Sequence, residues 1–173
     1  MEEAEYLGEA IRQFHGLKKV ADRALARTAS ADFFTALDAE SNSIALLVKH
    51  LAGNMRSRWT EFLTSDGEKP DRRRDSEFAV EPGDTRESLE RRWDEGWKLL
   101  FATIEPLTAG DFGKTVLIRG KPHSVLRAIN LQVAHYAYHV GQLVFLAKHF
   151  AGSRWETLSI PRGKSEEFNP SLR

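Results

Sequence analysis

The stretch Leu131-Gln-Val-Ala-His135-Tyr-Ala-Tyr-His139-Val-Gly-Gln142 carries two histidines four residues apart. In a helix of about 3.6 residues per turn, residues with this spacing share one face and lie roughly 6 Å apart at Cβ. Leucine and glutamine side chains fall near the same face. Neutral imidazole is the commonest protein ligand for divalent metal ions. The stretch therefore predicts a helix that contributes two hydrogen-bonded core histidines or one side of a metal site.

Three further segments repeat apolar residues at helical spacing, so the chain is predicted to contain four long amphipathic helices. Serine, threonine, asparagine and aspartate side chains suited to helix capping precede three of the four helices, at Ser41-Asn42-Ser43, at Asp84 or Thr85, and at Ser124. The predicted helices are residues 4–28, 44–62, 85–105 and 125–150. Four helices with one-sided apolar faces predict an all-α fold, a four-helix bundle.

The segments between the helices differ in composition. Residues 64–84 are turn-rich and carry charges of alternating sign, which predicts a solvated loop, although Arg72 to Arg74 are alternatively placed to meet an anionic ligand. Residues 115–124 predict a short β-hairpin before the fourth helix, with Arg119-Gly120 at its tip. Residues 152–173 form an irregular tail whose apolar side chains predict that it lies over the bundle.

Composition limits the possible functions. The chain has 173 residues, which predicts a single domain over residues 1–173, and its 25 basic and 25 acidic residues give no basic excess for nucleic acid. It has no cysteine, which excludes thiolate metal ligands and a cysteine nucleophile. The acidic N-terminus does not resemble a signal peptide and no apolar run is long enough to span a membrane, so we expect a cytoplasmic protein without a membrane partner.

The second predicted helix contains a further histidine, His50, inside its apolar face. With His135 and His139 it would form a site of three imidazoles with an open position, the arrangement of catalytic zinc sites. The alternative for a single histidine on an apolar face is a hydrogen-bonded core residue. The zinc-protease pattern is absent, because no glutamate directly follows His135.

Several other residues are candidates for supporting roles. Asn54, one helical turn after His50, and Gln142 could orient a ligand, and His123 is a possible additional group near the site. Tyr136 and Tyr138 point away from the histidine face and are assigned to packing or to a dimer surface.

Two arginines, Arg58 and Arg162, could meet an anionic substrate. Solvent-facing salt bridges are the default interpretation for both.

Three stretches carry a resemblance to a known group of proteins: residues 42–59 around His50, His135-Tyr-Ala-Tyr-His139-Val-Gly-Gln-Leu, and Ser159-Ile-Pro-Arg-Gly-Lys-Ser. Together they resemble the DinB-like superfamily, including its small uncharacterised bacterial branch and the YfiT-like bacillithiol transferases. The resemblance implies an up-down-down-up bundle that holds zinc, nickel or a similar ion on three histidines, matching His50, His135 and His139. It also implies a homodimer.

The leading hypothesis from the sequence is a metal-dependent thiol S-transferase that joins a low-molecular-weight thiol, such as bacillithiol, to a small electrophile. A metal-dependent hydrolase is an alternative, weakened because no Asp or Glu lies on the faces that carry the histidines. The third hypothesis is a non-enzymatic, stress-related metal-binding bundle.

Overall fold

The computed structural model of the protein describes residues 3–168, so the last five residues of the predicted tail and both ends of the predicted domain lie outside the described residues. The described chain is mainly helical, as predicted. Its helices are α1 (Glu3–Ala26), α2 (Ile44–Trp59), α3 (Arg86–Ile104), α4 (Val125–Ala151) and the short α5 (Ser165–Phe168). Three 3₁₀ turns occupy Arg74–Phe78, Ala109–Asp111 and Gly152–Arg154, and two strands, β1 (Thr115–Ile118) and β2 (Lys121–Ser124), precede α4.

Polar side chains cap three of the long helices at their N-termini. Ser43 accepts a hydrogen bond from the backbone N–H of Leu46 at 3.2 Å, and Ser124 accepts one from that of Arg127 at the same distance. Thr85, rather than Asp84, caps α3. Each cap satisfies an N–H group that the first helical turn leaves unpaired, which is why these boundaries could be read from the sequence.

The four long helices share one buried core. Helix α2 packs against α3 and α4, and α1 packs against α4 and α3. Aromatic side chains fill the centre, where Phe14, Trp59, Trp97 and Tyr136 are almost completely buried. Burial of a large aromatic ring removes 150–250 Å² of surface from water, so these four rings stabilise the packing that brings α2 and α4 together. None of the described helices combines the length and apolar character that a membrane span requires.

The predicted hairpin is confirmed. Strands β1 and β2 pair antiparallel, with Thr115 opposite Ser124 and Ile118 opposite Lys121. Arg119 and Gly120 form the turn with φ values of 54° and 70°, as a tight two-residue hairpin turn requires. The carboxylate of Asp66 accepts hydrogen bonds from the backbone N–H groups of both turn residues, which fastens the hairpin to the loop after α2.

The expectation of a solvated loop over residues 64–84 was wrong for its central part. Arg72 and Glu77 are buried, with side-chain exposures of 3% and 8%, and they pair with each other. Lys49 of α2 is also buried and donates a hydrogen bond to the carbonyl oxygen of Ala79 at 2.8 Å, which holds this segment against α2. Charges of alternating sign look the same in a sequence whether they face water or neutralise one another in the interior.

The tail prediction is confirmed in its first half. Trp155 and Leu158 pack against the core, and the carbonyl oxygen of Leu158 accepts a hydrogen bond from Arg23 of α1. Ile160 and Phe168, which were expected to lie over the helices, are exposed.

Candidate metal centre

Three histidines from two helices meet in the structure. His50 lies on α2, and His135 and His139 lie one turn apart on α4. One ring nitrogen from each falls within 4.8 Å of the others, and Nε2 of His50 lies 3.3 Å from Nε2 of His135. Two nitrogens about 2 Å from one tetrahedral ion lie roughly 3.3 Å apart, as Nε2 of His50 and Nε2 of His135 do, and small movements of the rings would bring all three nitrogens onto one ion.

Hydrogen bonds to the other ring nitrogens indicate which atoms are free to coordinate. Nδ1 of His50 lies 2.8 Å from Oε2 of Glu77, and Nδ1 of His139 lies 3.4 Å from Oε1 of Gln142. These contacts leave Nε2 of both rings for an ion. A carboxylate or amide oxygen behind a coordinating histidine fixes the tautomer and the direction of the ring.

Glu77 is the residue at the site that the sequence interpretation missed. Arg72 holds its carboxylate with two hydrogen bonds of 2.8 Å, from Nε to Oε1 and from Nη2 to Oε2. Burial by itself would raise the pKa of Glu77, but the hydrogen bonds from His50 and Arg72 outweigh burial and lower it. Glu77 is therefore a carboxylate that accepts the Nδ1–H of His50.

Gly53 makes the contact between Glu77 and α2 possible. A Cβ atom at this position would lie 2.8 Å from the carboxyl carbon of Glu77 and closer still to Oε1. A glycine inside a helix costs about 1 kcal/mol relative to alanine, and the sequence alone favours close packing against a neighbouring helix as its explanation. In the structure the group that approaches is instead a side chain from the 3₁₀ turn Arg74–Phe78. Gly53, three residues after His50 on α2, is thus a signal in the sequence that a further group approaches the site.

Burial keeps two of the histidines neutral. It lowers the pKa of His135 to about 3, assisted by the neighbouring rings of His139 and His50. Burial and the ring of His50 lower the pKa of His139 to about 4. Only the neutral ring has a lone pair for coordination, so near pH 7 both rings are in the state that binds a metal ion.

Asn54 takes part in a buried hydrogen-bond chain. The Tyr136 hydroxyl donates to Oδ1 of Asn54 at 3.0 Å and accepts from Nε1 of Trp59 at 2.9 Å. Burial raises the pKa of Tyr136, so the hydroxyl remains a donor. The assignment of Tyr136 to packing is confirmed, but its hydroxyl also orients Asn54, which lines the cavity beside the histidines.

The remaining candidates separate into near and distant residues. Gln142 contacts His139, as described above. His123 lies on β2 opposite Val116 and is neither grouped with the three histidines nor part of the cavity wall beside them. Tyr138 is exposed on α4, and Arg162 is exposed in the tail.

A cavity of about 300 Å³ opens beside the three rings. Its wall includes Arg58, which was expected to form a salt bridge at the surface but forms none with residues 3–168. Arg58 is only 5% exposed, and its Nε and Nη1 atoms have no hydrogen-bond partner among the described residues. The site thus combines candidate metal ligands with space for a small molecule.

Comparison with known proteins gives a family but not an activity. The chain matches the family model described as "Protein of unknown function (DUF1572)" over residues 2–164, and it therefore belongs to the DUF1572 family. This family is DinB-like, in agreement with the resemblance seen in the sequence. No significant match to a curated protein or to a solved structure was found.

Proposed function

We propose that the protein binds a divalent metal ion through His50, His135 and His139 and acts as a metal-dependent thiol S-transferase on small electrophiles. The observation that carries the metal site is the convergence of three ring nitrogens within 4.8 Å, with the other nitrogen of His50 held by Glu77. Zinc and nickel are the first ions to test, because three imidazoles suit either and no thiolate is present to select between them. The up-down-down-up order of a DinB-like bundle is part of the same proposal, supported by the packing of α2 and α4.

The chemistry follows from an ion with an open position. A divalent ion there would bind a thiol and lower its pKa towards neutrality. Glu77 keeps Nδ1 of His50 protonated and directs Nε2 towards His135. The adjoining cavity gives the thiol and the electrophile a place to meet. A low-molecular-weight thiol of the bacillithiol type is the proposed cofactor, since the protein has no cysteine of its own.

Two other functions have less support. A hydrolase needs a general base near the metal-bound nucleophile. Among residues 3–168 the cavity wall contains no carboxylate, and Glu77 lies behind His50 with both oxygens already bonded. A non-enzymatic metal-binding role would not account for the cavity beside the three histidines.

A homodimer, a cytoplasmic location and the lack of nucleic-acid and membrane partners remain predictions.

Elemental analysis of protein purified without an affinity tag tests the metal site. We expect about one divalent ion per chain, as a mononuclear three-histidine site holds. His135→Ala should remove most of the metal, whereas His149→Ala, an exposed histidine at the end of α4, should not. Unchanged metal in His135→Ala would reject this ligand.

A reaction screen tests the activity. Zinc- or nickel-loaded protein is incubated with a panel of low-molecular-weight thiols and electrophiles, and the loss of free thiol is followed. We expect turnover that is lost in His135→Ala and retained in His149→Ala. Hydrolysis of model esters without thiol would favour a hydrolase, and the absence of any metal-dependent turnover would favour a non-enzymatic role.

A further inference from the structure

The guanidinium of Arg58 is buried, and two of its three nitrogens have no hydrogen-bond partner among residues 3–168. The residue is 5% exposed, and Nε and Nη1 form no hydrogen bond within the described part of the chain. Burial lowers the pKa of Arg58, yet arginine stays charged at any physiological pH. An unpaired buried charge costs several kcal/mol, so such groups usually have a partner or serve a function.

The fold holds Arg58 in place by packing. A Cβ atom on Gly67 would lie 2.5 Å from Nη1 of Arg58 and 3.1 Å from its Cδ, so a larger residue at position 67 would displace the guanidinium. Ser57, the preceding residue, donates a hydrogen bond to the carbonyl oxygen of Gly67 at 3.0 Å and accepts one from the backbone N–H of Lys69 at 2.9 Å. These contacts fix the loop against α2, and the guanidinium is therefore positioned before any ligand arrives.

The cavity that Arg58 lines is positively charged. Arg72, Arg74 and Arg119 also contribute to its wall, and no carboxylate does so among residues 3–168. Arg72 and Arg119 are paired with Glu68, at 3.1 and 3.4 Å. Arg74 lies over the ring of Phe78, with its guanidinium carbon 5.0 Å from the ring centroid. Arg58 itself forms no ion pair within the described part of the chain, and the carboxylate of Glu68 acts on its charge only through longer-range electrostatics.

A second buried polar group without a partner lines the same cavity. Gln132 of α4 is 5% exposed, and its Oε1 atom has no hydrogen-bond partner among the described residues. It lies one turn before His135 on the same helix. The cavity therefore offers a neutral polar group and a cation on the side of the three histidines.

We propose that this cavity binds an oxyanion, a carboxylate or phosphate group of the substrate, on the guanidinium of Arg58. The guanidinium matches the two oxygens of such a group, and the amide of Gln132 would have to turn to donate from Nε2, because its unpartnered Oε1 only accepts. The substrate is then an anionic small molecule whose other end reaches the three histidines. This inference assigns a substrate class to the proposed function. The role of the histidines rests on the proposed function, whereas the binding of the anion to Arg58 does not depend on it.

Isothermal titration of the metal-free, full-length protein tests the proposal. Inorganic phosphate and succinate are titrated separately, which distinguishes a phosphate site from a carboxylate site. We expect at least one of them to bind and Arg58→Gln to weaken that binding by about tenfold or more, as loss of a charge-assisted hydrogen bond predicts. Arg162→Gln, an exposed arginine in the tail, is the matched control and should bind as the unmodified protein does. Binding of neither probe, or equal binding by Arg58→Gln, would overturn the proposal.

Thermal unfolding separates a ligand-binding role from a structural one. Because Arg58→Gln removes an unpaired buried charge, its melting temperature without anion should be unchanged or higher. A saturating anion should raise the melting temperature of the unmodified protein and leave the melting temperature of Arg58→Gln unchanged. A clear loss of stability in Arg58→Gln would instead assign a structural role to Arg58.

If Arg58→Gln does not fold, Arg58→Lys takes its place. Lysine retains the positive charge without the planar guanidinium, so this variant should bind the anion more weakly. Unchanged affinity for the anion would overturn the proposal.

The two proposals fail separately. Arg58→Gln should retain its metal, since the residue contacts none of the three histidines, whereas His135→Ala should lose its metal and still bind the anion. Anion binding without metal binding would reject the proposed function alone. Metal binding without anion binding would reject the anion site alone.

Discussion

Glu77 shows how one side chain can set the chemistry of a site without touching its open position. Its carboxylate accepts the Nδ1–H of His50 and is itself held by Arg72. Without this contact, the ring of His50 could present either nitrogen to the other two histidines. Outer carboxylates of this kind typically contribute 10–100-fold to metal affinity.

Glu77→Gln should therefore weaken zinc or nickel binding by about 10–100-fold without abolishing it. The amide oxygen still accepts the Nδ1–H, but the negative charge that raises the basicity of the ring is lost. Competition titration with a chromophoric chelator measures the affinity. Glu87→Gln, an exposed glutamate near the start of α3, serves as the control and should bind as the unmodified protein does. Equal affinities for both variants would remove Glu77 from the site.

The depressed pKa values of His135 and His139 make the stability of the metal-free protein depend on pH. Both rings titrate near 6.5 in the unfolded chain, but at about 3 and about 4 in the folded protein. Between these values the unfolded chain binds more protons, so the free energy of unfolding should fall as the pH drops from about 6.5 towards 4.

Denaturant unfolding in the presence of a chelator measures this dependence at several pH values. The double variant His135→Gln, His139→Gln removes both titrating rings and should show a shallower dependence over the same range. Identical slopes would mean that the two rings titrate normally in the folded protein.

At the scale of the elements, the site depends on the segment between α2 and α3 as much as on the helices. Lys49 fastens this segment to α2 beyond Glu77, and Ser57 fastens it before Arg72. Between these two attachments, Gly53 leaves the space that the Glu77 carboxylate occupies. One face of α2 thus positions both His50 and the carboxylate that orients it.

Gly53→Ala and Gly141→Ala should have opposite effects. Alanine is favoured over glycine inside a helix by about 1 kcal/mol, and a Cβ atom at Gly141 of α4 meets nothing within 4 Å, so Gly141→Ala should raise the free energy of unfolding. In Gly53→Ala the new methyl group must displace Glu77, and Glu77 then loses buried hydrogen bonds worth about 1–3 kcal/mol each. This loss offsets the free energy that alanine contributes to the helix. Chemical denaturation and metal titration of both variants provide the comparison. Greater stability and unchanged metal affinity in Gly53→Ala would contradict the assigned role of this glycine.

At the scale of the whole molecule, the three histidines join parts of the chain that are far apart in sequence. His50 and His135 are separated by 85 residues, and they come from helices that contact each other across the core. An ion bound by both helices acts as a cross-link that the unfolded chain lacks. Metal binding should therefore stabilise the complete fold.

Addition of metal should raise the melting temperature of the chelator-treated protein. A ligand at 100 times its dissociation constant adds about 2.7 kcal/mol to the free energy of unfolding. Differential scanning calorimetry with zinc or nickel measures the increase, which should be absent in His135→Ala and present in His149→Ala. An equal increase in both variants would place the ion at another site.

The sequence by itself determined the local features of this protein. Apolar periodicity and capping side chains set the four long helices, the Arg119-Gly120 turn set the hairpin, and the four-residue spacing put His135 and His139 on one face. Each of these features depends on residues a few positions apart, which the backbone geometry of a helix or turn fixes directly.

The family resemblance implied that His50 joins His135 and His139, but only the tertiary structure decided which other distant groups meet. The approach of Glu77 to His50 spans 27 residues, and that of His50 to His135 spans 85. The burial of Arg58 depends on a loop that its composition suggested was solvated. Such contacts are set by the packing of helices around a shared core, and neither spacing nor composition encodes which face of one element meets which face of another.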